Sequence, residues 1–82
     1  MAHVIFGDGV PELFAELPGK VRIKAANSIE RLSAYPHIYP VRRRGLMKGY
    51  RYFVAASYLF YYQISGDEIR ISAIIPGVMK RA

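Results

Sequence analysis

The chain has 82 residues, with 12 lysines and arginines against six aspartates and glutamates, and a net charge of +6. This length allows a single hydrophobic core, so we predict one domain over residues 1–82. The absence of cysteine excludes disulfides and thiolate metal sites. No apolar run approaches the roughly 20 residues that a membrane helix needs, and the N-terminus lacks the pattern of a secretion signal. We therefore expect a cytoplasmic protein.

The first half of the chain predicts one strand and two helices. Residues 3–7 form a short apolar segment, which predicts a strand. Gly7-Asp8-Gly9 predicts a turn that ends this strand. A short helix begins at Pro11, which suits a first helical turn, and Pro18-Gly19 stops it. The longest helical pattern covers residues 20–35. Its apolar stripe consists of Val21, Ala25, Ile29 and Leu32.

The last third of the chain predicts three strands joined by tight turns. The strands cover residues 50–54, 58–64 and 68–75. Strict alternation in the third strand defines an apolar face of Ile69, Ile71, Ala73 and Ile75. Helices with an apolar stripe pack against a sheet with an apolar face. The predicted fold class is α+β: an N-terminal strand and a helical hairpin packed on a C-terminal three-stranded antiparallel meander. We expect the first strand at an edge of this sheet or next to the last strand.

Residues suited to catalysis or metal binding are scarce. His3 and His37 are isolated, and neither has an acidic residue at metal-ligand spacing. The six acidic residues form no carboxylate pair suited to hydrolysis, and the glycines lack the context of a phosphate-binding loop. We therefore predict no metal site and no cofactor.

Positive charge is concentrated between the second predicted helix and the sheet. One predicted patch consists of Arg42, Arg43, Arg44, Lys48 and Arg51, and a second one of Lys80 and Arg81. Such a surplus predicts a polyanionic partner, because arginine forks bind phosphate or carboxylate in bidentate fashion. These patches are the predicted target-binding residues. The alternatives are a solvated loop and a charge that only keeps the protein in solution.

Tyrosines are the second prominent residue type of the predicted sheet, at positions 50, 52, 58, 61 and 62. Alternation along the strands divides them between the core and the opposite face of the sheet. Aromatic rings on an open sheet can stack on nucleic-acid bases, although core and cross-strand packing is their more frequent role.

A resemblance to a known family rests on the same sheet. Residues 49–64 are GYRYFVAASYLFYYQI, and residues 65–77 continue as SGDEIRISAIIPG. This segment resembles the C-terminal sheet of the RelE/ParE toxins of bacterial toxin–antitoxin systems. Residues 11–32 resemble the helical hairpin of that family, so the resemblance covers nearly the whole chain.

The resemblance implies a protein that is made beside an antitoxin, which wraps it and silences it in a hetero-oligomer. It also implies one of two activities. RelE-like members enter the ribosomal A site and cut mRNA, using basic residues on the sheet and often a C-terminal tyrosine. ParE-like members block DNA gyrase and have no known hydrolytic residues.

Individual positions favour the ParE-like members. The RelE pattern has two lysines on its second strand, at positions that correspond to Arg51 and Phe53, so only the first is kept as a base. It has an arginine after the tyrosine that opens the third strand, where this chain has Leu59 after Tyr58. The tail carries bases but no tyrosine. One position departs from the ParE-like pattern as well, because ParE-like members usually carry a histidine where this chain has Pro76.

Three hypotheses follow. The favoured one is a ParE-like toxin that inhibits DNA gyrase by binding and is not an enzyme. The second is a ribosome-dependent mRNA interferase, whose candidate residues are Arg44, Lys48, Arg51 and Lys80. The third is a basic binding module without toxicity. For a toxin we expect no membrane partner, and an acidic, partly disordered antitoxin segment that neutralises the positive charge.

Overall fold

The computed structural model describes residues 2–77, which contain six elements. Strand β1 covers His3–Phe6, and helices α1 and α2 cover Val10–Ala15 and Gly19–Ala34. Strands β2, β3 and β4 cover Arg51–Ala55, Tyr58–Ser65 and Glu68–Pro76. The predicted α+β elements are confirmed, and their bounds differ from the predicted ones by one or two residues.

The strands form one mixed sheet in the order β1-β4-β3-β2. Strands β2, β3 and β4 are the predicted antiparallel meander, and two-residue turns join them. Strand β1 lies parallel to β4, with His3 opposite Glu68 and Phe6 opposite Ile71. The first strand is therefore at an edge of the sheet and next to the last strand, in agreement with the prediction.

Both helices pack on the same face of the sheet, which we call the helix-side face; the other is the open face. The predicted stripe of α2 is confirmed, because Val21, Ala25 and Leu32 are buried and Ile29 packs against the same core. The sheet contributes the aromatic side chains and three isoleucines of this core, which are Phe53, Phe60, Tyr62, Ile69, Ile71 and Ile74. Burial of these apolar side chains is the main source of stability in a small domain without disulfides.

Strand β4 contains one extra residue, and the predicted alternation is wrong beyond it. Tyr61 and Tyr62 are consecutive in β3, but their partners in β4 are separated by Ser72. Such a β-bulge leaves one residue unpaired and shifts the alternation by one position. The strand therefore matches the prediction up to Ile71, and the residues that change face are Ala73, Ile74 and Ile75.

Candidate functional site

One stretch of the chain holds the entire net charge. Residues 31–66 contain six lysines and arginines and no acidic residue, whereas the rest of the chain contains six bases and six acids. Two of the six bases are Arg31 and Arg51. The other four lie between α2 and β2, in residues 35–50, which we call the basic loop: Arg42, Arg43, Arg44 and Lys48. A polyanion is therefore attracted to the surface that this stretch forms.

Backbone hydrogen bonds hold the basic loop in place. The amide of Arg42 donates to the carbonyl of Tyr50 at 2.7 Å, and the amide of Gly49 donates to the carbonyl of Arg42 at 2.9 Å. Val41 forms an antiparallel bridge with Arg51, so the loop continues the sheet beside β2. The sequence shows no strand periodicity here, and the bridge was not predicted.

Arg42 lies against an aromatic ring of the sheet. Its guanidinium carbon is 6.0 Å from the centroid of the Tyr52 ring, at the outer limit of a cation–π contact. Its Nε donates to the carbonyl of Arg44 at 3.1 Å. Arg43 and Arg44 are exposed. These groups surround a cavity of about 380 Å³, which is lined by Pro40, Val41, Arg42, Arg43, Arg44 and Tyr52.

The open face beside this cavity is aromatic and apolar. The ring centroids of Tyr52 and Tyr61 are 5.7 Å apart. Tyr61 is 3 % exposed, although it lies outside the hydrophobic core. Val54 is 57 % exposed. No open-face side chain of β2 or β3 is basic, since these are Tyr52, Val54, Leu59, Tyr61, Gln63 and Ser65.

Arg51 is directed away from the three arginines of the basic loop. It is paired with Tyr62 on the helix-side face, and its Nη1 donates to the carbonyl of Tyr39 at 2.7 Å. It lines a second cavity of about 310 Å³, which we call the Arg51 cavity. The other lining residues are His37, Val41, Gly49, Tyr62, Gln63 and Ile64. The structure thus brings Arg42, Arg43 and Arg44 together, and places Arg51 in a separate site.

Three basic residues of the predicted patches remain, and the structure describes one of them. Lys48 is exposed in the basic loop, where its amide donates to the carbonyl of Gly45 at 3.1 Å. The predicted second patch, Lys80 and Arg81, lies outside the described residues.

Tyr62 is a structural residue of the Arg51 cavity. Its hydroxyl donates to the carbonyl of Pro36 at 3.1 Å. Burial raises the pKa of Tyr62 to about 12, although the positive charge of Arg51 acts to lower it. The hydroxyl is therefore protonated at neutral pH and cannot act as a base.

Residues 2–77 contain neither a cluster of metal-binding side chains nor a membrane-spanning helix. No three histidine, cysteine, aspartate or glutamate side chains of this part of the chain lie close enough to hold a metal ion. Within the same residues, neither helix has the length and apolar composition that crossing a membrane requires.

Sequence reasoning missed Tyr52, Pro40 and Val41 as walls of the arginine-lined cavity. The alternation of β2 contained a usable signal for Tyr52, because it predicts that Tyr52 and Arg51 lie on opposite faces. The alternation does not predict which face of β2 packs against the helices. Tyr52 and Val54 on one face are as apolar as Phe53 and Ala55 on the other.

The sheet order and the two helices define a small α+β protein with the fold of the RelE toxins. In particular, the chain is similar to the isolated E. coli RelE toxin, whose crystal structure matches with a TM-score of 0.82 at 13 % sequence identity. The match covers 98 % of this chain and 88 % of that chain. No family model matches the chain, and a search of curated proteins found no match. The predicted RelE/ParE fold is confirmed, and the preference for ParE-like members stays a prediction.

Proposed function

We propose that the chain is the toxin of a type II toxin–antitoxin system, which binds and inhibits a macromolecular target and is silenced by a cognate antitoxin. DNA gyrase is the favoured target. The observation that carries the proposal is the RelE fold combined with the concentration of the whole net charge in residues 31–66. Charge that is concentrated in one part of a chain attracts a polyanionic or acidic partner to that part.

Inhibition by binding is favoured over RNA cleavage because the open-face side chains of β2 and β3 lack the groups that cleavage needs. Attack by a ribose 2′-hydroxyl requires an acid–base pair and a stabiliser of the developing charge. The open-face residues of β2 and β3 include no base, and Leu59 occupies the position where the resemblance expects an arginine. The nearby guanidinium groups of the basic loop cannot act as proton acceptors, because arginine stays protonated in proteins.

The proposed antitoxin has a chemistry that complements the surface. Exposed Val54 offers apolar area on the open face, and the arginines beside Tyr52 offer positive charge. An acidic segment with apolar side chains matches both features, and a disordered segment can order itself along the sheet as it binds. We therefore expect the antitoxin to cover the open face and the basic loop together.

A supercoiling assay tests the gyrase target. Purified protein in stoichiometric excess is added to gyrase, relaxed plasmid and ATP, and supercoiled product is followed on gels. We expect loss of supercoiling, and recovery when the antitoxin is added. Relaxation by a type I topoisomerase serves as the control for general DNA binding. Undiminished supercoiling at excess protein contradicts gyrase as the target.

An mRNA interferase is the second candidate, because the match to the RelE toxin extends over most of both chains. Its candidate residues stay Arg44, Lys48, Arg51 and Lys80. Mapping of mRNA ends after induction separates the two toxins: new ends at ribosome-bound codons support the interferase, and intact messages during growth arrest exclude it. Normal growth on overexpression without an antitoxin supports the third candidate, a binding module without toxicity.

A further inference from the structure

The Arg51 cavity contains more hydrogen-bond donors than the fold uses. Arg51 is half-buried and has several N–H donors, of which Nη1 donates to the carbonyl of Tyr39. Within residues 2–77 the one ion pair joins Arg70 to Glu68, so no carboxylate of these residues neutralises Arg51. His37 lines the same cavity. A half-buried guanidinium without an anion favours an anionic ligand.

The wall of the same cavity includes an unpaired strand edge. Strand β3 runs to Ser65, but its last partner in β2 is Arg51, opposite Tyr62. Gly49, two residues before the start of β2, has a φ of 92°, a left-handed conformation that does not continue a strand. The edge of β3 beyond Tyr62 is therefore left without a neighbouring strand on the β2 side.

The pairing pattern gives the direction of the backbone groups at this edge. Tyr52 donates to the carbonyl of Pro40 on the outer side of β2, so Arg51 directs its backbone groups inward to Tyr62. Alternate residues of an antiparallel strand direct their N–H and C=O groups to the same side, so Ile64 directs both toward the space that β2 leaves. Ile64 makes no backbone hydrogen bond with the described part of the basic loop.

We propose that the Arg51 cavity binds an extended acidic peptide, with a carboxylate side chain on the Arg51 guanidinium and the peptide backbone on the N–H and C=O of Ile64. A peptide supplies both a donor and an acceptor to such an edge. The sugar–phosphate backbone of DNA supplies acceptors alone, so it leaves the Ile64 carbonyl unsatisfied. The proposal rests on the proposed function in one respect: the antitoxin is the expected source of the peptide.

An NMR titration of the isotope-labelled full chain tests the site with defined probes. The main probe is a blocked hexapeptide of alternating valine and threonine with one central glutamate, and its control replaces that glutamate with glutamine. We expect the glutamate peptide to shift the Ile64 amide and the Arg51 Nε–H signals to saturation. The glutamine peptide should bind at least about tenfold more weakly, because it lacks the charge-assisted hydrogen bond. Equal binding of both peptides overturns the proposal.

Two further titrations separate the contribution of the backbone contact to binding from that of the charge. A glutamate peptide that is N-methylated at the residue facing Ile64 cannot donate to its carbonyl, and we expect about tenfold weaker binding. This arm needs no variant of the protein, so a loss of folding cannot confuse it. The second arm uses hexauridylate and inorganic phosphate, which should shift signals of the basic loop and leave Ile64 unchanged. Saturable shifts of both Ile64 and Arg51 with hexauridylate overturn the peptide assignment in favour of nucleic acid.

Protein variants provide a matched comparison. Arg51→Gln removes the guanidinium, and Arg43→Gln removes the same charge from the exposed part of the basic loop. We expect Arg51→Gln to abolish the preference for glutamate over glutamine, and Arg43→Gln to retain it. An unchanged preference in Arg51→Gln overturns the proposal. Growth arrest is measured separately: arrest without peptide binding contradicts this inference alone, and peptide binding without arrest contradicts the proposed function alone.

Discussion

The ring of Phe53 stacks on the ring of Phe60 across β2 and β3, with centroids 4.8 Å apart and planes 7° from parallel. Both side chains are buried. Phe53 occupies the position where the resemblance to RNA-cleaving toxins expects a second lysine. The position therefore belongs to the core in this protein, and a base cannot be restored there without loss of packing.

We expect Phe53→Lys to unfold most of the protein. The substitution removes a buried aromatic ring, which alone costs about 3–5 kcal/mol, and it buries an ammonium group without a partner. A domain of this size has a free energy of unfolding of about 5–10 kcal/mol. The neighbouring Val54→Lys is the control, because Val54 lies on the open face and the change should cost less than about 1 kcal/mol. Urea unfolding followed by circular dichroism measures both, and equal stability of the two variants contradicts the assignment of faces.

The hydrogen bond from Tyr62 to Pro36 should contribute measurably to stability. Tyr62→Phe removes the donor and leaves the Pro36 carbonyl without it, so we expect a loss of about 1 kcal/mol in the free energy of unfolding. Tyr35→Phe is the matched control, because Tyr35 is 65 % exposed and should change stability by less than about 0.5 kcal/mol. A loss in Tyr62→Phe no larger than in the control contradicts a role for the bond.

The same tyrosine should affect stability at alkaline pH. The pKa of Tyr62 is raised to about 12 in the folded protein from 10.0 in an unperturbed tyrosine. The unfolded chain thus loses this proton first, so the contribution is fully present below pH 10 and is lost as the pH rises through 12. Two pKa units correspond to about 2–3 kcal/mol. Native protein should therefore lose more stability than Tyr62→Phe between these pH values. Parallel stability curves for the two proteins exclude the shift.

Replacement of Arg42, Arg43 and Arg44 by alanine should weaken target binding and leave the fold intact. Arg43 and Arg44 are exposed, and the contact of Arg42 with Tyr52 contributes about 0.5–1 kcal/mol at most at such a site. We expect at least about tenfold weaker binding to the target, measured by calorimetry. A Lys20→Ala, Lys24→Ala double variant lowers the charge on exposed positions of α2 and should bind nearly as well as the native chain. An unfolded triple variant would instead assign the arginine run a structural role.

Much of the fold could be predicted because its elements have distinct periods and clear ends. The stripe of α2 recurs at helical spacing between Pro18-Gly19 and Pro36, and the meander is interrupted by turn residues such as Gly66. The bulge at Ser72 could not be predicted, because residues 73–75 are all apolar and a shift of the alternation among them leaves no gap in the pattern. Its effect is visible only through the pairing with β3.

The sequence predicted which residues form the candidate site better than it predicted how they are arranged. The arginine run identified the basic loop, and the structure brings Arg42, Arg43 and Arg44 together around one cavity. The place of Arg51 could not be read from proximity in sequence, because the face of β2 on which it lies depends on where the helices pack. Backbone hydrogen bonds hold the basic loop in its conformation, and the pattern of side chains in the sequence does not predict such bonds.

The separation of charge along the chain affects how the protein meets its partner before any contact forms. With six uncompensated bases in residues 31–66 and balanced charges elsewhere, the molecule has a lasting electric dipole as well as a net charge. In the field of a polyanion such a dipole experiences a torque, which turns the basic pole toward the partner during diffusion. The effect fades beyond a screening length of about 8 Å at physiological ionic strength. Most encounters should therefore begin in one orientation, with the basic loop foremost.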